Sequence, residues 1–201
     1  MDSNIILLTG VLAPLWMLLG VYFCAKLYPN YNHKQQFMSE LGARNRPTTR
    51  IHPYINNYPI GILFILFGAT ILLSLSHTTI IVVTAFMMIG QGISHLITGL
   101  FPCDEDLGKT KPSPTQIIHN LAGFIMLLTL IIPAVWWGFS AASSIWFASF
   151  SWVCLIIFAV YLYLMVKNLK TEHNLGLYQR ISYGALAFWV VVLSGSLYVH
   201  V

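Results

Sequence analysis

Six runs of about 20 apolar residues follow one another along this chain, each long enough to cross a bilayer as a helix. They cover residues 5–27, 58–76, 78–100, 117–138, 144–166 and 181–199. Only 8% of the 201 residues are charged and 57% are hydrophobic. An ordinary soluble domain carries about 25% charged residues, so this chain could not clothe a water-facing surface. The expected fold class is therefore all-α: a polytopic integral membrane protein, a six-helix bundle forming a single transmembrane domain over 1–201. The first run lacks a basic start and a small-residue cleavage pattern, and is read as a span rather than a signal peptide. Pro14 and Pro133 fall inside runs and are expected to kink them, which membrane helices tolerate. Cys24, Cys103 and Cys154 make no disulfide framework, being odd in number and partly inside apolar runs.

The connections are unequal. "SLSHTT" and "GFSAAS" join spans two to three and four to five, whereas 28–57, 101–116 and 167–180 are long and fall on one side. All ten basic residues lie in those three loops or at adjoining helix ends, with five of the six acids. The basic-residue rule puts that face in the cytoplasm and both termini outside, with a bacterial inner membrane as the expected location. The net charge of +4 is thus an orientation signal, and nucleic acid is not an expected partner.

Two loops carry local structure. In "HKQQFMSELG", Phe37, Met38 and Leu41 share a side at helical spacing, and Gly42 suits a helix end. This predicts a short helix lying in the interface and closed before Pro47. "SPTQ" offers Ser113 as N-cap, Pro114 at the first helical position and Gln116 three residues after the cap, so span four should start near Pro114.

The candidate chemistry clusters at this same face. Gln91, His95 and Thr98 recur at i, i+4 and i+7 on one side of span three. An ionisable residue at His95's depth faces the bundle interior, either as a binding site or as a packing lock bonded to Gln91 or a carbonyl. Asp104 ends span three and His119 opens span four. A neutral His119 oriented by Asp104 would be a general base or metal ligand; the alternative is a capping and headgroup-level salt network. Ser39 is a candidate nucleophile or a local cap. Glu40 joins the catalytic candidates or pairs with Arg44 or Arg46, which are candidate substrate contacts. His95, Asp104 and His119, with Cys103, could hold a divalent metal, although the spacing matches no standard zinc pattern. Glu105 and Asp106 read as solvent-facing. Trp136, Trp137, Trp146, Trp152, Tyr161 and Tyr163 read as interface anchors or packing, and Gly90, Gly92 and Gly99 as sites of close helix contact. His33, His52, His77, His173 and His200 lie at loops or ends and are given no role.

Three pieces, "YPNYNHKQQFMSELGARNRP", "GLFPCDEDL" followed by "HNLAG", and "GLYQRISYGALAFWVVVLSG", resemble in order and spacing the membrane family called domain of unknown function 998. The resemblance spans essentially the whole chain. Family members often show F-P-C-D-x-G-C, where this chain has no second cysteine. The pattern is also distantly similar to the superfamily of the FGF-receptor-activating protein, the damage-regulated autophagy modulator and the yeast Sfk protein. That resemblance implies lipid handling and carries over Ser39, Glu40, Gly42, Phe101, Pro102, Asp104, His119 and Gly123. The function expected is action on, or binding of, a membrane lipid or lipid-linked molecule at the loop-rich face. A small-molecule or proton-coupled transporter using Gln91 and His95, or a non-catalytic lipid organiser, are the alternatives.

Overall fold

The computed structural model describes residues 4, 7–75, 78–105, 111–141 and 143–198. Its long helices are α1 (Thr9–Leu27), α2 (Tyr58–Ser74), α3 (Thr79–Leu100), α4 (Pro114–Phe139), α5 (Ile145–Lys167) and α6 (Leu175–Tyr198). These six spans are long and apolar enough to cross a membrane, and no strand occurs among the described residues. The chain is an all-α integral membrane protein. Asp2, His77, Asp106, Lys109 and His200 lie outside the described residues.

Two span boundaries move from their expected positions, each for a hydrogen-bonding reason. A π turn over Pro53–Asn57 runs directly into α2, so this span begins before residue 58. Pro59 has no N–H to offer the Ile55 carbonyl four residues back, and the Trp16 indole of α1 donates to it instead, at 2.7 Å. α6 begins at Leu175 rather than at 181, because the first long loop caps it. The N–H groups of Gly176 and Leu177 donate to the carbonyls of Gln35 and Lys34. α4 opens at Pro114 as "SPTQ" predicts, with the Ser113 hydroxyl accepting from the Gln116 N–H at 3.2 Å.

The predicted interfacial helix is a single 3-10 turn, Met38–Gly42, tucked under the bundle instead of lying along the surface. Leu41 is fully buried in the core. Glu40 folds its carboxylate back onto the N–H of Phe37, at 2.7 Å, closing the turn at its start. Arg180 of α6 pins the preceding strand of loop. Its guanidinium donates to the carbonyls of His33 (2.7 Å) and Gln36 (2.8 Å) and to the Tyr31 hydroxyl (2.5 Å). Gly176 is required where α6 meets this loop, since a Cβ there would lie 2.1 Å from the Gln36 carbonyl oxygen.

α1 packs on α2 and α6, α3 on α2 and α4, and α5 on α4 and α6. α2 and α3 approach closely enough that a Cβ on Gly92 would fall 2.4 Å from the Gly61 carbonyl oxygen. Indoles stitch other helix pairs. Trp189 donates to the Ser151 hydroxyl at 2.8 Å, and Trp137 donates to the Thr84 hydroxyl at 3.0 Å. The Ser194 hydroxyl donates to the Leu7 carbonyl, so the two chain ends meet at the end opposite the long loops. α5 is the least buried span. Because α4 and α5 are joined at that far end, their loop-side halves are free to part.

Candidate functional site

They part around a cavity of about 440 Å³ at the loop-rich end, a size in the usual range for small-molecule sites. Asn120, Gly123, Phe124 and Leu127 of α4 line one side, at the i, i+3, i+4, i+7 spacing of one helix face. Phe158, Leu162 and Met165 of α5 line the other. Asn120 and Phe124 are exposed, so the cavity opens sideways between α4 and α5, where lipid chains would lie. Its back wall is polar. It comprises Ser39 and His52 from the first loop, Asn56 and Asn57 from the π turn, His95 and Thr98 from α3, His119 from α4, and Gln179, Ser182 and Tyr183 from α6.

His119 is held by the backbone. Its Nδ1 lies 2.8 Å from the Phe101 carbonyl oxygen. A carbonyl only accepts, so Nδ1 carries the proton, and in the neutral ring Nε2 keeps a lone pair. The orienting partner is thus Phe101, not Asp104 as the sequence suggested. The Asp104 carboxylate instead accepts from the Ser113 N–H (2.9 Å) and hydroxyl (2.6 Å) at the start of α4, with Arg44 at 3.8 Å. Its own N–H donates to Gln116 Oε1 at 2.5 Å. A buried carboxylate beside a helix N-terminus is satisfied there by N–H and O–H donors, which is the capping alternative.

His95 is buried, its ring stacked on Phe64 with centroids 5.9 Å apart and planes 4° apart. Gln91 donates to the Tyr183 hydroxyl at 2.5 Å and accepts from Thr129 at 2.6 Å. His95 Nε2 lies 3.3 Å from the same Tyr183 hydroxyl, which can donate to it. Gln91, His95, Tyr183 and Thr129 therefore form one buried network joining α3, α4 and α6, with His95 and Tyr183 also reaching the cavity.

Of the expected catalytic residues, Ser39 and His119 line the cavity, whereas Asp104 and Glu40 act as caps outside it. No hydrogen bond joins Ser39 to His119. The Ser39 carbonyl accepts from the Cys103 thiol at 3.3 Å. Of the expected binding residues, His95 lines the cavity and Gln91 lies behind it. Arg44 is engaged by Asp104 and Thr115, Arg46 by Glu105, and neither lines it. The metal set His95, Asp104 and His119 does not assemble. Among the described residues no three His, Cys, Asp or Glu side chains converge to hold a metal ion. Asp104 is drawn to the α4 cap and His95 into its network. Glu105 is exposed and paired with Arg46 and Asn45. Burial pushes the Cys103 thiol up to about 12, so it stays protonated.

A family model described as a protein of unknown function, DUF998, matches residues 11–196 of this chain. The chain belongs to the DUF998 family. No curated protein and no solved structure matches it. The matched region takes in all but the first two residues of α1 and the last two of α6, and so contains every wall of the cavity.

The sequence reading missed His52. Its ring lies so close to the 3-10 turn that a Cβ on Gly42 would fall 2.7 Å from Nδ1, which is why that position is glycine. Nε2 faces Asn56 Nδ2 at 3.4 Å. Burial, reinforced by the nearby His119, pushes the His52 pKa down to about 4, so the ring is neutral near pH 7. Asn57, Gln179 and Tyr183 were also missed. "HPYINNYP" did carry a signal: a proline at a helix start, followed by two adjacent amides at the beginning of an apolar span.

Proposed function

We propose that this DUF998 protein binds a membrane lipid or lipid-linked molecule, with its headgroup in the histidine- and asparagine-lined end of the cavity and its chains between α4 and α5. The observation that carries this reading is the division of the cavity itself. Its inner wall is polar and buried, its outer walls are apolar, and it opens toward the bilayer. The distant resemblance to lipid-handling proteins points the same way. The test is native mass spectrometry of the protein released from phospholipid nanodiscs. The parent should retain an amphiphile, and Gly123→Leu, which fills the cavity from α4, should not. Equal retention by both would sink the proposal.

A second reading is hydrolysis of an ester or related bond in such a molecule. It is favoured by His119, whose proton is held on Nδ1 by Phe101 so that Nε2 can take a proton. Ser39, in the same cavity, or water would supply the attacking oxygen. Product formation by the parent that vanishes in His119→Asn, with the amphiphile still bound, would establish turnover. Bound amphiphile recovered unchanged would leave binding alone.

A further inference from the structure

We infer that a second groove, between α1 and α6, holds the phosphate of an anionic phospholipid from the loop-side leaflet. This site is separate from the cavity above and does not depend on what that cavity holds.

The groove encloses about 210 Å³. Leu18, Val21 and Tyr22 of α1 form one wall, at the i, i+3, i+4 spacing of one helix face. Arg180 and Gly184, one turn apart, stand on α6, and His33 of the first loop joins them. Met17, Val21, Met38 and Tyr183 line this groove and the main cavity alike, so one layer of side chains divides the two. Leu18 and Tyr22 are exposed, so the groove opens sideways toward lipid chains. Its inner part is apolar and its loop end is basic.

The first observation is the charge of Arg180. The ion pairs among the described residues take Arg44 and Arg46, and no carboxylate lies within ion-pair distance of Arg180. Glu40, the one acid of the first loop, is turned to the Phe37 N–H at 2.7 Å and the Gln36 side-chain amide at 3.1 Å. Arg180 meets only neutral oxygens. Its Nη1 donates to the carbonyls of His33, Gln36 and Gly176, and its Nη2 to the Tyr31 hydroxyl. Its Nε is shut away from water with no partner. The guanidinium is thus fixed in place, poorly solvated and without a counter-ion, at the edge of a lipid-facing groove. An anion there offsets that cost through its field, with no need to touch Nε.

The second observation comes from the opposite wall. Lys26, exposed one turn beyond Tyr22, lays its ammonium over the Tyr22 ring, 5.5 Å from the centroid. It too pairs with no carboxylate among the described residues. Two cations therefore flank the loop end of the groove, one from each helix. His33 adds no third charge, since burial and then Arg180 hold its pKa below the usual 6.5. A phospholipid matches this division: phosphate between the cations at headgroup depth, glycerol and chain against the apolar walls. A neutral lipid would leave both cations uncompensated.

The experiment is native mass spectrometry of protein released from nanodiscs of equal parts dioleoyl phosphatidylcholine and dioleoyl phosphatidylglycerol. The parent should retain phosphatidylglycerol over phosphatidylcholine by about tenfold. Gly184→Leu fills the groove at a position where a Cβ meets nothing within 4 Å, and should abolish that preference without loss of melting temperature. Lys26→Gln removes an exposed charge and should weaken it. Arg180→Gln should abolish it as well, but this variant also frees the first loop, so the other two carry the test. Gly123→Leu, which fills the main cavity, should keep it. Excess glycerol phosphate should leave the lipid in place; displacement would make this a site for free phosphate and overturn the lipid assignment. No preference in the parent overturns the inference, as does a preference that survives in Gly184→Leu. A preference lost only in Gly123→Leu places the anionic lipid in the main cavity, which overturns the groove and leaves the amphiphile reading standing.

Discussion

His119 of α4 and Phe101 at the end of α3 are joined by a 2.8 Å hydrogen bond from ring to main chain. The bond sets the imidazole's proton on Nδ1 without any carboxylate. It also ties the two helices at the level of the cavity floor, so the ring has a structural and a chemical face that substitution can separate.

His119→Asn keeps a donor near the Phe101 carbonyl and removes the Nε2 acceptor. It should melt close to the parent and hold the amphiphile less tightly. His119→Leu leaves the carbonyl unpaired and should in addition lose about 1–3 kcal/mol of stability. Thermal unfolding in detergent together with native mass spectrometry reads both effects. Amphiphile held as tightly as by the parent, with product yield also unchanged, would reduce the ring to a staple.

Asp104 should behave in the opposite way. Asp104→Ala removes the acceptor of the Ser113 N–H and hydroxyl and the partner of Arg44. A loss of about 1–3 kcal/mol is expected, with the remaining folded protein still holding its amphiphile. Unchanged melting with lost binding would instead return Asp104 to the site.

Acid should loosen the fold through His52. Its folded pKa of about 4 lies below the usual 6.5, so between those values the unfolded chain binds the extra proton. The stability it contributes is therefore complete above about pH 6.5 and is lost as pH falls toward 4, at up to roughly 1.4 kcal/mol per pH unit. Melting temperature followed from pH 7 to 5 should fall more steeply in the parent than in His52→Gln. Parallel slopes would remove His52 as the cause.

Two glycines at the cavity make a matched pair. Gly42→Ala drives a Cβ to 2.7 Å from His52 Nδ1, whereas nothing lies within 4 Å of a Cβ on Gly123. The first change should cost about 1–3 kcal/mol by crowding. The second should be neutral or should stabilise by up to about 1 kcal/mol, as alanine in place of a helical glycine does. Equal melting temperatures for the two variants would contradict the close packing of the 3-10 turn beneath His52.

The bundle was legible because each span announces itself locally, through apolar length and, at α4, through a cap written in four consecutive residues. The site was half legible for the same reason. Ser39 and His119 stand out as polar residues at span ends, and both reach the cavity. Asp104 and Glu40 stand out equally, yet both turn back to satisfy N–H groups within about ten residues of their own position. Sequence shows that a carboxylate is present, not which of several nearby donors takes it. His52, Asn57 and Tyr183 became part of the site only through packing between elements far apart in the chain. The predicted surface helix failed because Leu41 had a core to enter, which periodicity over ten residues cannot reveal.

Sidedness is a further prediction, drawn from the ten basic residues that gather at the loop-rich face. Lys170→Cys, introduced into the exposed loop between α5 and α6, should react with a membrane-impermeant maleimide only from the cytoplasmic side of sealed vesicles. The native thiols are all buried and should stay silent. Labelling from the outer side would invert the proposed orientation.

Arg180 holds the carbonyls of His33 and Gln36 across some 145 residues of sequence. The stretch from His33 to Gln36 therefore lacks this anchor while the first five spans are being made. Until the sixth enters the bilayer, the cavity also lacks the wall formed by Gln179, Ser182 and Tyr183. A chain interrupted before α6 would sit in the membrane with its polar floor open to lipid, a mark by which cellular proteolysis could tell unfinished copies from finished ones.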